Sequence, residues 1–313
     1  MQTILGSGGV IGIELAKALP EYTTKIRLVS RNPQKINETD ELFKADLTRH
    51  QEVMKAVEGS EIVYLTVGLP YNTKIWQQTW PVIMKNVIGA CIAHQAKLVF
   101  FDNIYMYAPD KLDPITEELP INPKSKKGTI RAGLVHMIWA AVEKEGLNAV
   151  IARAADFYGP SIKDVSILTE VVFSPLSKGK KASWMGSPKF KHSFTYTPDA
   201  GKATALLGNS PEAYGETWHL PTAPNPFTGE EWVKTIAGEF GVKPRFQVAS
   251  KPIVRIMGLF QPVMRELYEM LYQYDRDYVF SSDKFEKKFG MKPTPYMEGI
   301  KEIIRFDYQN PKS

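Results

Sequence analysis

The sequence predicts an α/β protein in which helices cover both faces of a doubly wound parallel sheet. Two observations support this prediction. Over the first half of the chain, short apolar segments of strand length alternate with longer segments of helical periodicity. The short segments, such as residues 61–67, show almost no polar alternation, which is typical of parallel strands buried on both sides. Successive strand–helix–strand units of this kind build one sheet.

Six strands and four long helices are expected in the N-terminal half, and most of the strands end at a turn-forming or polar residue. The predicted strands are residues 1–5, 25–29, 42–45, 61–67, 97–101 and 148–152. The predicted helices are residues 10–19, 49–57, 73–95 and 123–145.

The pattern changes after Phe157, where proline and glycine become frequent and apolar segments become short. We therefore expect a core over residues 1–157 and a smaller, mixed region over residues 158–313, with some of its elements interleaved back onto the core. Residues 253–274 are amphipathic and rich in methionine, and we interpret them as a segment of core or subunit packing.

Composition excludes several classes of protein. Hydrophobic residues make up 43% of the 313 residues and charged residues 23%, which rules out collagen-like and wholly disordered chains. The net charge of +5 is too small to indicate nucleic acid or an acidic membrane surface as a partner. The five histidines have no metal-binding spacing, so no metal site is expected.

The cysteine content and the length of the apolar segments indicate the cellular compartment of the protein. Cys91 is the only cysteine, so an internal disulfide is impossible and a reducing environment is favoured. The first residues have no basic, apolar leader, and the most apolar helical stretch, residues 132–142, is about half the ~20 residues that span a bilayer. These features predict a cytoplasmic protein.

The most informative motif is Gly6-x-x-Gly9-x-x-Gly12, placed between a strand and a helix. Gly6 permits a tight turn, Gly9 lets a pyrophosphate approach the backbone, and Gly12 lets the helix pack close to the strand. Phosphates then lie on free N–H groups at the start of the helix, as in a Rossmann-type dinucleotide site; the alternative is a purely structural turn. The residues expected to contact the cofactor here are Gly6, Ser7, Gly9, Val10, Ile11 and Gly12.

The residue after the second strand selects between the two nicotinamide dinucleotides. NAD usually requires an acidic residue at this point, which binds the ribose 2′-hydroxyl. This chain has Ser30, Arg31 and Asn32 instead, and Arg31 can pair with a 2′-phosphate and stack on adenine. NADP(H) is therefore preferred over NAD(H); the alternative is that Arg31 is a surface charge at a turn.

Two further strand ends are expected to border the cofactor. Asp46 and Leu47 follow the third strand and are placed for the adenine amino group and ring. Val67 and Gly68 follow the fourth strand and are placed beside the cofactor ribose.

Five segments together resemble one known family. They are GSGGVIG (6–12), DL (46–47), FDNIYMYAP (101–109), RAADFYGP (153–160) and HSFTYTPD (192–199). In this order they resemble the extended short-chain dehydrogenase/reductase superfamily, specifically its NAD-dependent epimerase/dehydratase family, over about two thirds of the chain. The resemblance implies a Rossmann core, a smaller C-terminal substrate region and a bound nicotinamide dinucleotide.

The family's chemistry uses a Ser or Thr together with Tyr-x-x-x-Lys, in which the tyrosine is the acid/base. At these positions the chain has Asn103, Lys127 and Arg131, and residues 123–145 contain no tyrosine. By the resemblance, Asn103 holds the substrate oxygen and Arg131 holds the cofactor ribose. Lys127 donates a proton if burial and Arg131 lower its pKa.

Further site residues are expected at the carboxyl edge of the sheet. Tyr105 and Tyr107 are alternative proton donors. Tyr158 belongs to the loop that covers the nicotinamide in the family. Tyr71 and Asn72 face the same edge as substrate contacts. Asp156 is a further substrate contact or a turn residue, and His192 is a ligand contact or an ordinary strand residue.

The sequence thus predicts an NADP(H)-dependent oxidoreductase or epimerase/dehydratase-like enzyme of the atypical extended type, acting on a small-molecule substrate. The first alternative is a non-catalytic NADP(H)-binding redox sensor, which the missing Tyr-x-x-x-Lys favours. A sugar-nucleotide binder with altered chemistry ranks third. A homodimer is expected by analogy with the family alone.

Overall fold

The computed structural model describes residues 1–162 and 166–309. The strands are β1 Gln2–Leu5, β2 Ile26–Ser30, β3 Glu41–Lys44, β4 Ile62–Leu65, β5 Lys97–Asp102, β6 Ala149–Arg153, β7 Asp156–Tyr158, β8 Ala182–Met185, β9 Phe194–Tyr196, β10 Thr217–His219 and β11 Phe246–Ala249. The α-helices are α1 Val10–Ala18, α2 His50–Val57, α3 Thr73–Ala93, α4 Lys126–Glu145, α5 Ser174–Ser177, α6 Thr197–Asn209, α7 Gly229–Glu239, α8 Lys251–Phe260, α9 Pro262–Tyr268, α10 Asp283–Phe289 and α11 Tyr296–Ile303. Within the described residues, no helix has both the length and the apolar character to cross a membrane.

Seven strands form one sheet in the order β3-β2-β1-β4-β5-β6-β10, and every neighbouring pair is parallel. Gln2 of β1 pairs with Ile26 of β2 on one side and with Ile62 of β4 on the other. This confirms the predicted doubly wound parallel sheet. The strand order reverses at β1 and β4, and ligands of such sheets bind outside the carboxyl ends of the strands at that reversal.

The six predicted strands and four predicted helices are present, with ends shifted by a few residues at most. A seventh strand, β10, was not predicted. It comprises only Thr217–His219 and adds to the edge of the sheet beside β6. Three residues are too few to show a periodic pattern in the sequence.

The buried face of this sheet is built from successive strands. Leu5, Val29, Leu65, Phe100 and Ile151 come from five adjacent strands and are fully buried in one apolar cluster with residues of α3 and α4. Burying a side chain of this size stabilises the fold by about 1.5–3 kcal/mol. The carboxyl ends of these strands are thereby fixed relative to one another, which positions the loops that follow them.

The chain divides into two compact units. The first contains Met1–Tyr107, Ile121–Ala154 and Pro198–Leu220, and therefore the whole seven-stranded sheet. The second contains the described residues of Ala108–Pro120, Ala155–Thr197 and Pro221–Ser313. The chain leaves the first unit after Ala154 and returns to it at Pro198. That the second unit binds the substrate stays a prediction.

The second unit has an aromatic core beside two small parallel sheets, β7–β9 and β8–β11. Trp232 of α7 is fully buried, and its ring centre lies 5.1 Å from that of Phe194 and 4.8 Å from that of Tyr296. Aromatic rings at these separations add packing energy beyond the area they bury.

The segment formed by residues 253–274 differs from its prediction. Val254 and Leu271 are buried, but Ile256, Leu259 and Phe260 are exposed. The outer side of this segment is therefore not packed into the core, and the alternative of subunit packing stays a prediction. Amphipathic periodicity identifies an apolar side of a helix without identifying what covers it.

Candidate functional site

The glycine loop lies at the carboxyl ends of β1, β2 and β4. The N–H groups of Gly6 and Ser7 donate to the carbonyl oxygen of Val29 at 2.9 and 3.2 Å. Gly6 has a φ of +102°, and a Cβ at this position would collide with the backbone of Val67, which follows β4. Backbone conformation and close approach both require glycine here.

Gly12 is constrained differently from its neighbours. A Cβ on Gly12 would lie 2.6 Å from the carbonyl oxygen of Gly6 and 2.9 Å from Cα of Ser7. The N–H of Gly9 donates to the same Gly6 carbonyl at 3.1 Å and closes the turn. A Cβ on Gly8 would meet nothing within 4 Å. Gly6 and Gly12 therefore fix the turn, while the exposed Gly8 and Gly9 leave its outer rim open.

Two features of this loop suit a phosphate group. Helix α1 begins at Val10 without a side-chain cap, so its first N–H groups, including that of Ile11, have no acceptor within the helix. The hydroxyl of Ser7 is buried and has no hydrogen-bond partner within the described residues. Phosphate oxygens are acceptors that satisfy such donors. The residues present therefore fit the pyrophosphate of a dinucleotide.

Arg31 and Asp46 follow neighbouring strands. Ser30 pairs with Lys44 in the register of β2 and β3, so the residues after them emerge at the same edge. Arg31 is exposed. The carboxylate of Asp46 accepts from the N–H and the hydroxyl of Thr48 at 2.9 and 2.8 Å. These hydrogen bonds, and to a smaller extent the charge of Arg31, lower the pKa of Asp46.

The other predicted cofactor contacts differ in exposure. Gly68 is exposed and Val67 is half-buried, as expected for residues at the rim of a site. Leu47 is buried in the apolar core, with only 6% of its surface exposed. Its side chain packs inward, and a contact with adenine stays a prediction.

Lys127 lies in the first turn of α4, and its side chain is fully buried. Its Nζ donates to Oγ1 of Thr73 at 3.0 Å and lies 4.6 Å from the ring centre of Tyr71. The ring centre of Trp76 lies 5.8 Å from that of Tyr71 and 6.3 Å from that of Tyr105, on which it stacks. We call these five residues the Lys127 cluster. Three of them, Tyr71, Tyr105 and Lys127, are predicted site residues.

The loop after β5 is held against the start of α4. The side-chain oxygen of Asn103 accepts from the N–H of Tyr105 at 3.0 Å, and the N–H of Asn103 donates to Asp102 at 2.9 Å. A Cβ on Gly128 would collide with the carbonyl oxygen of Tyr105, so the first turn of α4 packs directly on this loop. The half-buried Asn103 is thereby connected to the Lys127 cluster through Tyr105.

Asn72 caps the N-terminus of α3, the helix that carries Thr73 of the Lys127 cluster. Its side-chain oxygen accepts from the N–H of Ile75 at 3.1 Å and caps α3. The cap fixes the start of the helix that carries Thr73. Asn72 as a substrate contact stays a prediction.

The Arg131 guanidinium has partners different from those predicted. Its Nε donates to Oδ1 of Asp102 at 2.7 Å, and both side chains are almost completely buried. The guanidinium lies 4.7 Å from the ring centre of Trp80 and 4.8 Å from that of Phe100. Arg131 is thus an interior ion-pair residue of α4, and a contact with the cofactor ribose stays a prediction.

The Tyr107 hydroxyl has partners inside the first unit. Its hydroxyl oxygen lies 2.7 Å from Nη1 of Arg153 and 2.7 Å from Nε2 of His219, and only 1% of the residue is exposed. Nε of Arg153 also contacts Oδ2 of Asp102 at 3.3 Å. The hydroxyl thus belongs to a buried polar network, and Tyr107 as a proton donor stays a prediction.

Asp156 and His192 contact each other in the second unit. His192 Nε2 lies 2.9 Å from Oδ2 of Asp156, which also accepts from the Tyr274 hydroxyl at 3.1 Å. The imidazole is stacked between Tyr274 and Tyr278, with ring centres at 4.3 and 4.4 Å. His192 is buried, whereas 22% of the Asp156 side chain is exposed. Of the two, only the carboxylate is accessible to a ligand.

Tyr158 lies in the aromatic core of the second unit and is fully buried. Its ring contacts those of Tyr196, Trp232 and Tyr296 at 5.2, 5.8 and 5.7 Å. These rings and Gly299 enclose the side chain, and a contact of Tyr158 with the cofactor stays a prediction.

Several residues of these networks were missed from the sequence. They are Thr73, Trp76, Asp102, Tyr274 and Tyr278. Only Asp102 carried a usable signal, since it is a charged residue at the end of an otherwise apolar strand. The others become visible only when distant segments are brought together.

Residues 3–220 match the model of the NAD dependent epimerase/dehydratase family, which is more than half of the chain. The chain belongs to this family. The resemblance inferred from the five sequence segments is thereby confirmed. The match ends near the point where the chain leaves the first unit, after Leu220.

Two curated proteins are similar to the chain at low identity. It is 22% identical over 214 residues to the uncharacterized protein y4nG of Sinorhizobium fredii (strain NBRC 101917 / NGR234), covering 66% of this chain and 52% of that protein. It is 27% identical over 130 residues to short-chain dehydrogenase/reductase family 42E member 1 of Danio rerio, covering 38% and 34%. The match therefore spans about half the length of y4nG and about a third of the length of the Danio rerio protein.

Among solved structures, the chain is similar to the UDP-glucose 4-epimerase of Thermus thermophilus, crystallised in complex with NAD. The TM-score is 0.79 at 17% identity, and the similarity covers 99% of both chains. At this identity the similarity establishes the epimerase/dehydratase fold for this chain.

Proposed function

We propose that this protein is an NADP(H)-dependent oxidoreductase or epimerase/dehydratase-like enzyme of the atypical extended short-chain type. The observation that carries the proposal is the glycine loop. Its buried Ser7 hydroxyl has no hydrogen-bond partner within the described residues and lies in the turn before the uncapped start of α1. A pyrophosphate supplies the acceptors that these donors lack. The T. thermophilus structure, similar in fold, was solved with NAD.

The preference for NADP(H) rests on Arg31. This exposed guanidinium follows β2, where an NAD site usually has a carboxylate. A guanidinium pairs with a 2′-phosphate through charge-assisted hydrogen bonds. Asp46, a predicted adenine contact, has a pKa lowered further from its ordinary value by its hydrogen bonds with Thr48.

A bound nicotinamide supplies hydride exchange with a carbonyl or hydroxyl carbon of the substrate. The chain itself must then hold the substrate oxygen and manage its proton. We assign the proton to the amine of Lys127, held by Thr73 and Tyr71, with the Tyr105 phenol as the alternative. The amide of Asn103 orients the substrate oxygen. The helix of Lys127 contains no tyrosine, so the usual Tyr-x-x-x-Lys pair has no part in this mechanism.

The substrate is a small molecule with a carbonyl, hydroxyl or conjugated group. Within the first unit, Tyr71 offers an aromatic surface to it. In the second unit, Asp156 and His192 stay predicted substrate contacts, with Tyr274 holding the Asp156 carboxylate. Cys91 is buried and forms no disulfide, which fits the prediction of a cytoplasmic protein.

The decisive experiment is an isothermal calorimetric titration of the purified protein with NADPH, NADP⁺, NADH and NAD⁺. Tight binding of the phosphorylated pair supports the roles of the glycine loop and Arg31, and equal affinity for all four contradicts the role of Arg31. A carbonyl-substrate screen for NADPH consumption follows. Binding without turnover of any substrate would favour the redox-sensor alternative. Absence of binding would overturn the proposal.

A further inference from the structure

An exposed apolar surface covers the outer side of α8 and α9. The two helices are joined at Gln261 and form a short helical hairpin. The exposed apolar side chains, with their exposed fractions, are Ile253 (46%), Ile256 (60%), Leu259 (77%), Phe260 (82%), Val263 (48%) and Tyr268 (41%). We call these six residues the hairpin patch.

The hairpin is anchored by its inner side. Val254 is fully buried in the aromatic core of the second unit, and a Cβ on Gly258 would lie only 3.2 Å from Cα of Arg265, so the two helices are closely packed. The outer side is nevertheless apolar at its most exposed positions. Covering a side chain the size of leucine or phenylalanine is worth about 1.5–3 kcal/mol. Contiguous apolar surface of this kind marks an interaction site.

Positive charge is concentrated around the hairpin patch. Residues 243–269 contain five cations, Lys243, Arg245, Lys251, Arg255 and Arg265, against two half-buried acidic residues, Glu266 and Glu269. Lys251 is paired with Asp275 at 2.5 Å, whereas Arg255 and Arg265 are exposed on the hairpin itself. The whole-chain charge of +5 conceals this local cluster, because acidic residues elsewhere offset the other cations.

The charge distinguishes between two ways of covering the patch. In a symmetric dimer formed through the patch, Arg255 and Arg265 of both copies would approach one another, and like charges repel in such an interface. An anionic bilayer surface attracts these guanidiniums instead, at about 1 kcal/mol for each cation near the surface. Helices with an apolar side and flanking Lys or Arg are typical of segments that lie in the membrane interface.

We propose that the hairpin patch docks on the surface of a bilayer that contains anionic lipid. Leu259 and Phe260, at the tip of the hairpin, enter the boundary between headgroups and acyl chains. Arg255 and Arg265 extend their guanidiniums to the lipid phosphates, as long cationic side chains do at interfaces. The attachment is peripheral and independent of the proposed enzymatic function. It differs from the expectation drawn from the net charge of the whole chain, which considered no local cluster of cations.

The test is co-sedimentation of the full chain with vesicles. Wild type is expected to bind phosphatidylcholine vesicles containing about 30 mol% phosphatidylserine, and to bind pure phosphatidylcholine vesicles and high-salt samples much more weakly. The double variant Leu259→Ser, Phe260→Ser should bind the anionic vesicles at least about tenfold more weakly, because two apolar side chains are lost from the interface. Gln261→Ser, in the same turn, is the matched control and should bind like wild type.

Circular dichroism and sedimentation velocity of the unbound proteins accompany the test. The variants should retain the wild-type spectrum and the same oligomeric state. Failure of wild type to bind anionic vesicles overturns the proposal, and so does equal binding by the double variant. A wild-type dimer that the double variant dissociates, without vesicle binding, would assign the hairpin patch to self-association instead.

Discussion

Arg131 and Asp102 form a hydrogen-bonded ion pair inside the first unit, with Nε of the arginine 2.7 Å from Oδ1 of the aspartate. The same carboxylate contacts Nε of Arg153 through Oδ2 at 3.3 Å, so one buried anion serves two buried cations. The arrangement ties α4 to the ends of β5 and β6. It fixes the helix that carries Lys127 relative to the loop that carries Asn103.

The first prediction concerns Asp102→Asn. The substitution leaves two guanidiniums in the interior without a counter-charge, and loss of one partner of a buried pair costs about 3–5 kcal/mol. We expect the free energy of unfolding in urea to fall by about this amount. Glu41→Gln is the control, since it removes an exposed pair with Arg27 and should cost at most about 1 kcal/mol. Similar losses in the two variants would contradict the central role of Asp102.

The second prediction compares two glycines of the same loop. Gly12→Ala places a Cβ 2.6 Å from the carbonyl oxygen of Gly6, and the backbone must shift, which costs about 1–3 kcal/mol. Gly8→Ala meets nothing within 4 Å and should leave the free energy of unfolding within about 0.5 kcal/mol of wild type. Urea unfolding of both variants measures the difference. Equal stability of the two would show that the turn relaxes without strain.

The fold was predictable where hydrophobic burial alone determines it. The strands that form the middle of the sheet are mostly apolar, and α2 carries a clear 3.6-residue period. The edge strand β10 was not predictable, because three residues cannot show a period. The solvent exposure of Phe260 was not predictable either. The sequence shows which side of a helix is apolar, but not whether another element of the fold covers that side.

The site was predictable only in part, for a physical reason. The glycines of the loop act through backbone geometry within a few residues of one another, and such local constraints leave a motif. The contact of Lys127 with Thr73 joins residues 54 positions apart, and the contact of Tyr107 with His219 joins residues 112 positions apart. Without the packing of β5, β6 and β10, the sequence does not distinguish a buried Tyr107 from an exposed one.

The third prediction tests the proposed 2′-phosphate contact. Arg31→Asp should weaken NADP⁺ binding by about tenfold to a hundredfold more than NAD⁺ binding, because charge-assisted hydrogen bonds contribute about 1.5–3 kcal/mol. Isothermal titration with both nucleotides measures the ratio. Lys44→Asp, on the neighbouring strand, makes the same change in charge and should alter the two affinities alike. Equal effects of Arg31→Asp on both nucleotides would remove the contact from the proposal.

The fourth prediction concerns the proton-handling role of Lys127. Lys127→Met keeps the length of a fully buried side chain and removes its amine, so cofactor affinity should stay within about threefold of wild type. Turnover of a substrate found in the carbonyl screen should fall by about a hundredfold or more, the usual contribution of an acid/base group. Lys126→Met, at the exposed neighbouring position, is the control. Unchanged turnover in Lys127→Met would transfer the role to Tyr105.

The fifth prediction concerns the pH dependence of the start of α7. Thr228 and Glu231 form a capping box, in which the Glu231 carboxylate accepts from the N–H and the hydroxyl of Thr228 at 2.8 Å each. These hydrogen bonds lower the pKa of Glu231 below its usual range. A lowered pKa means that the folded state favours the charged carboxylate. Its contribution to stability is therefore complete above the unfolded pKa of about 4.3 and is lost as the pH falls through the folded value.

The variant Glu231→Gln isolates this charge, because glutamine retains the size and the acceptor oxygen of the side chain but is neutral at every pH. We expect it to be less stable than wild type at pH 7 in urea unfolding, and the difference to shrink steadily as the pH falls below the unfolded pKa of about 4.3. Glu230→Gln, one residue earlier, removes only an exposed pair with Lys234 and should change stability by at most about 0.5 kcal/mol. Thr228→Ala removes the cap and should cost about 1 kcal/mol at pH 7. A stability difference between wild type and Glu231→Gln that grows on acidification would contradict the direction of the pKa shift.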